Sequence, residues 1–186
     1  GKTDGHNLGK RKTYHNIYFW EKMMNVSKDN WDIQEINFKQ FTTLKENTFT
    51  IGDAFNYPTQ YFLLSEHHNE FQILIEQSSI GLHDVPFISF LDKNQTLLCL
   101  TDSCVVIDYK NKAVRLQQKL NTPCIDIVCI DDIAYIVCEA DIIKYSVKDN
   151  SLFDPVYLSD AVKEISDQNG ICLVTLCDGN FITLPY

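Results

Sequence analysis

Short apolar blocks separated by turn-forming residues fill the second half of the chain. The blocks are six or seven residues long and rich in Val, Ile, Phe and Tyr: PFISFL, TLLCLT, CVVIDY, AVRLQQ, CIDIVCI, IAYIVCE, IIKYSV, ICLVTLC and FITLPY. Runs of this length and composition are typical of β-strands. Helical periodicity is weak, and its best candidates, FWEKMMNV and LSDAVKEIS, fit an extended conformation as well. The pattern therefore predicts an all-β chain.

A unit of strand, tight turn and strand recurs five times. Its anchors are spaced by 38, 36, 37 and 39 residues, at Ser27, Ser65, Thr101, Cys138 and Cys177. One complete unit holds four strands in succession, VPFISFLD, QTLLCLT, CVVIDYK and AVRLQQKL. Four strands in a period of about 40 residues are the mark of a β-propeller blade, which buries its faces only by stacking on neighbours.

The chain accordingly resembles the WD40-like propellers in blade length and strand order, although no blade carries the GH and WD dipeptides. The resemblance implies a five-bladed ring that serves as an interaction platform. We expect a basic arm or closing strand at residues 1–15 and a single all-β domain at 16–186, with repeats near 16–47, 48–84, 85–121, 122–160 and 161–186. A β-sandwich with recurring hairpins, or an α+β fold with a helical N-terminal segment, is the alternative. The last repeat stops after its third strand, so residues from the N-terminus are candidates for the fourth.

Charge narrows the choice of partner. Residues 1–12 hold four basic residues and one acidic residue, whereas the other 174 hold 12 basic and 24 acidic ones, so that the overall charge of −9 becomes −12 for the body. Such a surface disfavours nucleic acid and suits a basic protein or a cationic ligand. No apolar run is long enough for a signal peptide or a membrane span, so we expect a cytoplasmic protein without membrane contact.

The seven cysteines lie within apolar segments, which favours free, reduced thiols used as small core residues. Cys124 and Cys129 are five residues apart, so in one regular strand they point to opposite faces, and the same holds for Cys172 and Cys177. Two of the thiols directly precede an acid, which opposes thiolate formation. We expect no metal, no cofactor and no catalysis.

An acidic position recurs after the second strand of each unit. It is occupied by Glu66, Asp102, Glu139 and Asp178, while the first unit has Lys28 at this position and supplies the acid one place later, at Asp29. In a closed ring these turns would emerge on one face and form a circle of five carboxylates that binds the partner. Acidic residues also favour turns for local hydrogen bonding alone.

Three functions fit the sequence. The leading hypothesis is a non-catalytic protein-binding module, in its most specific form an inhibitor or immunity-type protein that masks a basic nuclease or toxin. The second is a scaffold subunit of a larger complex. The third is a carbohydrate or small-ligand site that uses Asp84, Asp126 and Glu164, with aromatic residues available for stacking at Tyr57, Tyr61, Phe62, Tyr135 and Tyr145.

Overall fold

The computed structural model describes residues 31–52, 58–66, 71–78 and 85–186. These residues form one helix, α1, at Phe38–Lys45 and sixteen strands. The strands are β1 Trp31–Ile36, β2 Phe49–Gly52, β3 Gln60–Glu66, β4 Gln72–Gln77, β5 Phe87–Phe90, β6 Gln95–Cys99, β7 Ser103–Asp108, β8 Ala113–Lys119, β9 Cys124–Ile130, β10 Ile133–Cys138, β11 Asp141–Ser146, β12 Ser151–Leu152, β13 Val156–Tyr157, β14 Val162–Gln168, β15 Ile171–Leu176 and β16 Phe181–Leu184.

The strands are grouped into four sheets. Sheet 1 has the order β1-β3-β4-β2, in which β2 runs parallel to β4, and sheet 2 is the antiparallel meander β5-β6-β7-β8. Sheet 3 is the meander β9-β10-β11. The free side of β11 pairs with two short strands, β12 and β13, at its two ends. Sheet 4 contains three strands in the order β14-β15-β16. The all-β prediction with four-stranded antiparallel repeats is therefore confirmed.

The sheets stack face to face through three apolar layers. Sheets 1 and 2 meet through residues such as Phe62 and Leu98, and sheets 3 and 4 through residues such as Val137 and Val174. Between them, Leu97 of sheet 2 packs with residues of sheet 3. Because neighbouring side chains of β6 enter different layers, sheet 2 is buried on both faces, which explains its uninterrupted apolar runs.

Helix α1 covers the remaining face of sheet 1 by packing Phe41 against Leu74. Its first turn carries a capping box, in which the Asn37 side chain accepts from the Gln40 amide and the Gln40 side chain accepts from the Asn37 amide. Neither helical candidate of the sequence analysis lies here. FWEKMMNV falls outside the described residues, and LSDAVKEIS runs into strand β14.

The five-repeat division stays a prediction, since residues 16–30 of the first repeat and the arm at 1–15 lie outside the described residues. One part of the repeat pattern differs in the structure. Residues 31–36, assigned to the first unit, form β1 and pair with β3 of the second unit. No helix within the described ranges is long and apolar enough to cross a membrane.

Candidate interaction surface

Three of the predicted acidic turns lie on one edge of the stack. Glu139 follows β10, and its carbonyl oxygen accepts a hydrogen bond of 2.8 Å from the amide of Val162, where sheet 4 begins. The amide of Cys177, which precedes Asp178, donates to the carbonyl of Ala161 at 2.9 Å. These backbone bonds place the β10–β11 and β15–β16 turns side by side.

The Asp102 turn lies on the same edge. Cys99 and Cys104 flank that turn and pair across β6 and β7, while Cys124 and Cys138 pair across β9 and β10 beside Glu139. All four thiols share the layer between sheets 2 and 3. At the opposite edge, the Tyr145 hydroxyl donates to Gln95 Oε1 at 3.4 Å. The β6–β7 hairpin of sheet 2 and the β10–β11 hairpin of sheet 3 therefore point in the same direction, and their turns lie on the same edge of the stack.

Glu66 is found at the opposite edge, so the expectation that all five turns face one way is wrong for this residue. Trp31, its register partner, contacts Tyr109 at the far end of β7, with ring centroids 5.6 Å apart. The other end of β4 reaches the Asp102 turn, where Thr101 Oγ1 donates to the Ser78 carbonyl at 2.5 Å. The β3–β4 hairpin is thus inverted relative to the β6–β7 hairpin. Asp29 lies outside the described residues.

The acids on the shared edge differ in accessibility. Asp102 is buried, with 9% of its surface exposed, and its carbonyl accepts from the Leu120 amide. Asp178 is exposed and closes its own turn, because its carboxylate accepts from the Ser159 hydroxyl at 2.7 Å and from the amide and side chain of Asn180 at 2.9 Å. These hydrogen bonds, the Ser159 contact foremost, lower the pKa of Asp178 and keep it ionised.

Asp160 joins Glu139 and Asp178 between the two turns, and these three residues define the acidic patch. Asp160 is exposed, and its Oδ1 accepts from the Ala161 amide at 2.8 Å. Sequence reasoning missed it, because it precedes a first strand and lies outside the repeated turn position. Within the described ranges the ion pairs are Lys45–Glu76 and Arg115–Asp108, and neither involves the patch.

A second acid beside the β10–β11 turn is buried and hydrogen-bonded within the protein. Asp141 is buried, and its carboxylate accepts from Thr122 Oγ1 at 2.8 Å and from Asn121 Nδ2 at 3.4 Å. Thr122 Oγ1 in turn accepts from the Ala140 amide at 3.1 Å. This network fixes the turn that carries Glu139, so the patch rests on a rigid backbone.

Six of the seven cysteines pack in the core, as expected, but the predicted orientation of Cys124 relative to Cys129 was wrong. A β-bulge in β9 interrupts the pairing with β10, so that Cys124 and Cys129 both face the layer between sheets 2 and 3. Burial raises the pKa of Cys104 to about 12 and that of Cys129 to about 11, which opposes use of either thiol as a nucleophile. Cys177 is the exposed member of the set.

The residues of the ligand hypothesis do not converge. Asp126 is buried near Cys172, whereas Glu164 is exposed on β14, and Asp84 and Tyr57 lie outside the described residues. Phe62, Tyr135 and Tyr145 are buried, and Tyr61 stacks on Phe41 with ring centroids 4.6 Å apart. No group of three or more His, Cys, Asp or Glu side chains among the described residues is arranged to hold a metal ion.

The stacked four-stranded sheets, with acidic turns on a shared edge, define an all-β protein with propeller-like sheets. No family model and no curated protein matches the chain. Similar solved structures include the computationally designed Ika4 protein, at 9% identity and a TM-score of 0.46 over 73% of this chain and 88% of that one. Saccharomyces cerevisiae Sqt1 is similar at 11% identity and 0.46 over 66% and 38%, and Kuenenia stuttgartiensis hydrazine synthase at 13% and 0.44 over 73% and 45%. The chain spans less than half the length of these two natural chains.

Proposed function

We propose that this protein is a non-catalytic protein-binding module whose acidic patch receives a basic partner. The observation that carries the proposal is the 2.8 Å hydrogen bond from Val162 to the Glu139 carbonyl, which joins the acidic turns of two sheets into one surface. Carboxylates held on a rigid edge lose little entropy when a partner docks. The patch is therefore suited to recognition by charge.

The charge of the whole chain acts in the same direction. With 25 acidic and 16 basic residues, the protein attracts cationic surfaces over the distance of a Debye length, about 8 Å at physiological salt. Complementary charge accelerates encounter and fixes orientation more than it deepens affinity. In its most specific form the proposal is an inhibitor or immunity-type protein that masks a basic nuclease or toxin in the cytoplasm. That form is supported by charge and size alone.

A scaffold role is the second candidate, and the far end of the stack favours it. Ile171 and Phe181 of sheet 4 are exposed on the side that no other sheet of the described residues covers. Apolar side chains on an uncovered sheet are typical of surfaces that assemble with another component. A scaffold subunit would be recovered in a multi-component complex, whereas an inhibitor would be recovered with one basic protein.

The test compares the patch with a matched set of acids. The basic partner recovered from the native cell is titrated against the wild type, the patch variant Glu139→Gln/Asp160→Asn/Asp178→Asn and the control variant Asp131→Asn/Asp132→Asn/Asp154→Asn. Each variant removes three exposed or half-exposed negative charges. We expect the patch variant to bind about tenfold more weakly and the control to stay within about threefold of the wild type. Equal losses in both variants would show that the patch is not the docking site.

A further inference from the structure

Four of the buried cysteines form two pairs across neighbouring strands. Cys99 of β6 lies opposite Cys104 of β7, and Cys124 of β9 lies opposite Cys138 of β10. All four side chains are fully buried, and they share the layer between sheets 2 and 3. Both pairs lie at strand ends next to the edge that carries the acidic patch. The two strands of each pair therefore present their thiols to each other beneath that edge.

The backbone hydrogen bonds beside each pair show which kind of strand pair it is. The Leu100 amide donates to the Ser103 carbonyl at 2.8 Å, next to the first cysteine pair. The Glu139 amide donates to the Pro123 carbonyl at 3.0 Å, next to the second. Since hydrogen-bonded and non-hydrogen-bonded pairs alternate along antiparallel strands, both cysteine pairs are of the non-hydrogen-bonded kind, with Cα atoms about 4.5 Å apart. A disulfide spans Cα separations of about 4.4 to 6.8 Å, so each pair can be bridged without backbone movement.

Disulfides between the two sheets do not meet the same requirement. Cys99 and Cys124 face the shared layer from opposite sheets. Facing sheets lie about 10 Å apart, which exceeds the roughly 7 Å beyond which two cysteine Cα atoms cannot be bridged without backbone movement. Cys129 contacts Ser89 Oγ at 3.1 Å instead, and Cys172 lies in the layer between sheets 3 and 4. Of the three ways to join four cysteines in two bridges, the backbone thus favours one.

We propose that these four thiols are a reversible oxidation site, at which Cys99 pairs with Cys104 and Cys124 pairs with Cys138. The oxidant is a low-molecular-weight disulfide such as oxidised glutathione. One cysteine thiolate attacks the glutathione disulfide and displaces a first glutathione thiolate, and the partner cysteine then attacks the mixed disulfide and displaces the second. Each bridge oxidises two protein thiols by two electrons in all and reduces one glutathione disulfide to two glutathione thiols, which take up the two protons.

Burial determines when this exchange takes place. It raises the pKa of Cys99, Cys104 and Cys138, so these thiols stay protonated while the layer is closed. Exchange therefore proceeds in chains whose sheets 2 and 3 have not yet packed or have separated, and folding then brings each cysteine to its register partner. The bridges fasten the strand ends beside Asp102 and Glu139. This inference is independent of the proposed function, because it concerns the layer beneath the acidic edge.

Disulfide mapping of the full chain tests the pairing. The protein is unfolded in urea and refolded in a mixture of reduced and oxidised glutathione, and the remaining thiols are blocked by alkylation. Cleavage before aspartate places the four cysteines on separate peptides, residues 92–101, 102–107, 108–125 and 132–140. We expect mass spectrometry to find the first peptide joined to the second and the third joined to the fourth. Each of these links should be at least about tenfold more abundant than any link between the two sheets.

Two variants are the controls. Cys99→Ser should abolish the first link and keep the second, whereas Cys129→Ser, which removes a thiol of the same layer outside the pairs, should keep both. Dithiothreitol should reduce both links and leave the native circular dichroism spectrum unchanged. Protein that was never unfolded, kept in the same glutathione mixture until its map stops changing, provides a second route to the pairing that does not depend on refolding. Native protein with four free thiols by both routes, or linked mainly between the sheets, would overturn the proposal.

Discussion

Single side chains hold the long strands of sheet 2 in register, and Asp108 is the clearest case. Its Oδ2 accepts from Arg115 Nη2 at 2.7 Å and from Asn111 Nδ2 at the same distance, while Oδ1 accepts from the Asn111 amide at 3.0 Å. The Arg115 contact is the largest of the effects that lower the pKa of Asp108 to about 2. The pair therefore stabilises the protein only while Asp108 is ionised.

This pair makes stability depend on pH in a defined window. The pKa of Asp108 is lower in the folded chain, about 2, than its ordinary value of 3.8, so the stabilisation is complete above pH 3.8 and is lost as pH falls through about 2. In urea unfolding, the difference in free energy of unfolding between the wild type and Arg115→Gln should be largest near pH 5 and shrink toward pH 2. Lys110→Gln, an exposed cation of the neighbouring turn, is the control. A difference that stays constant with pH would contradict the assignment.

Thiol accessibility gives a second prediction at the residue scale. Cys177 is exposed, five of the other six thiols are buried, and Cys129 is half-buried. We expect Ellman's reagent to modify one thiol rapidly in the native protein and all seven in urea. Cys177→Ser should abolish the rapid phase. Rapid reaction of two or more thiols in the native wild type would show that the layer between sheets 2 and 3 opens readily.

Among the elements, helix α1 depends most on a single cap. Asn37→Ala removes the side chain that accepts from the Gln40 amide, and we expect it to lower the free energy of unfolding by about 1 kcal/mol. Asn47→Ala, an exposed residue beyond the helix, should have a much smaller effect in the same urea titration. Equal effects of the two substitutions would mean that the capping box does not stabilise the helix.

The elements also show what the sequence could and could not predict. The apolar blocks from PFISFL to FITLPY predicted β5 to β11, β15 and β16, because short β-branched blocks between turn residues favour strands over helices. Strand β14 was not among them, since its first residues belong to the helical candidate LSDAVKEIS. Helix α1 was missed although Asn37 and Gln40 have capping-box spacing, since its apolar pattern is weak. The bulge in β9 was not predictable from alternation, and it reversed the expected orientation of Cys124 relative to Cys129.

The whole molecule depends on relations between distant segments, and these were harder to predict. Equal spacing made Ser65 and Thr101 look equivalent, yet tertiary packing places their hairpins in opposite senses, with Glu66 beside Tyr109 rather than beside Asp102. The acidic turns of sheets 2, 3 and 4 do share an edge, because those sheets are successive meanders. The sequence could suggest an acidic surface, but only the stacking of the sheets shows that Asp160 belongs to it.

The salt dependence of partner affinity tests the central claim most directly. Dissociation constants for the wild type and for Glu139→Gln/Asp160→Asn/Asp178→Asn would be measured by calorimetry from about 50 to 300 mM salt, a range over which screening becomes steadily stronger. The proposed function predicts that wild-type affinity falls steeply with salt and that the variant, already weaker at low salt, falls much less. Parallel salt dependence in the two proteins, or a wild-type affinity that does not change with salt, would contradict it.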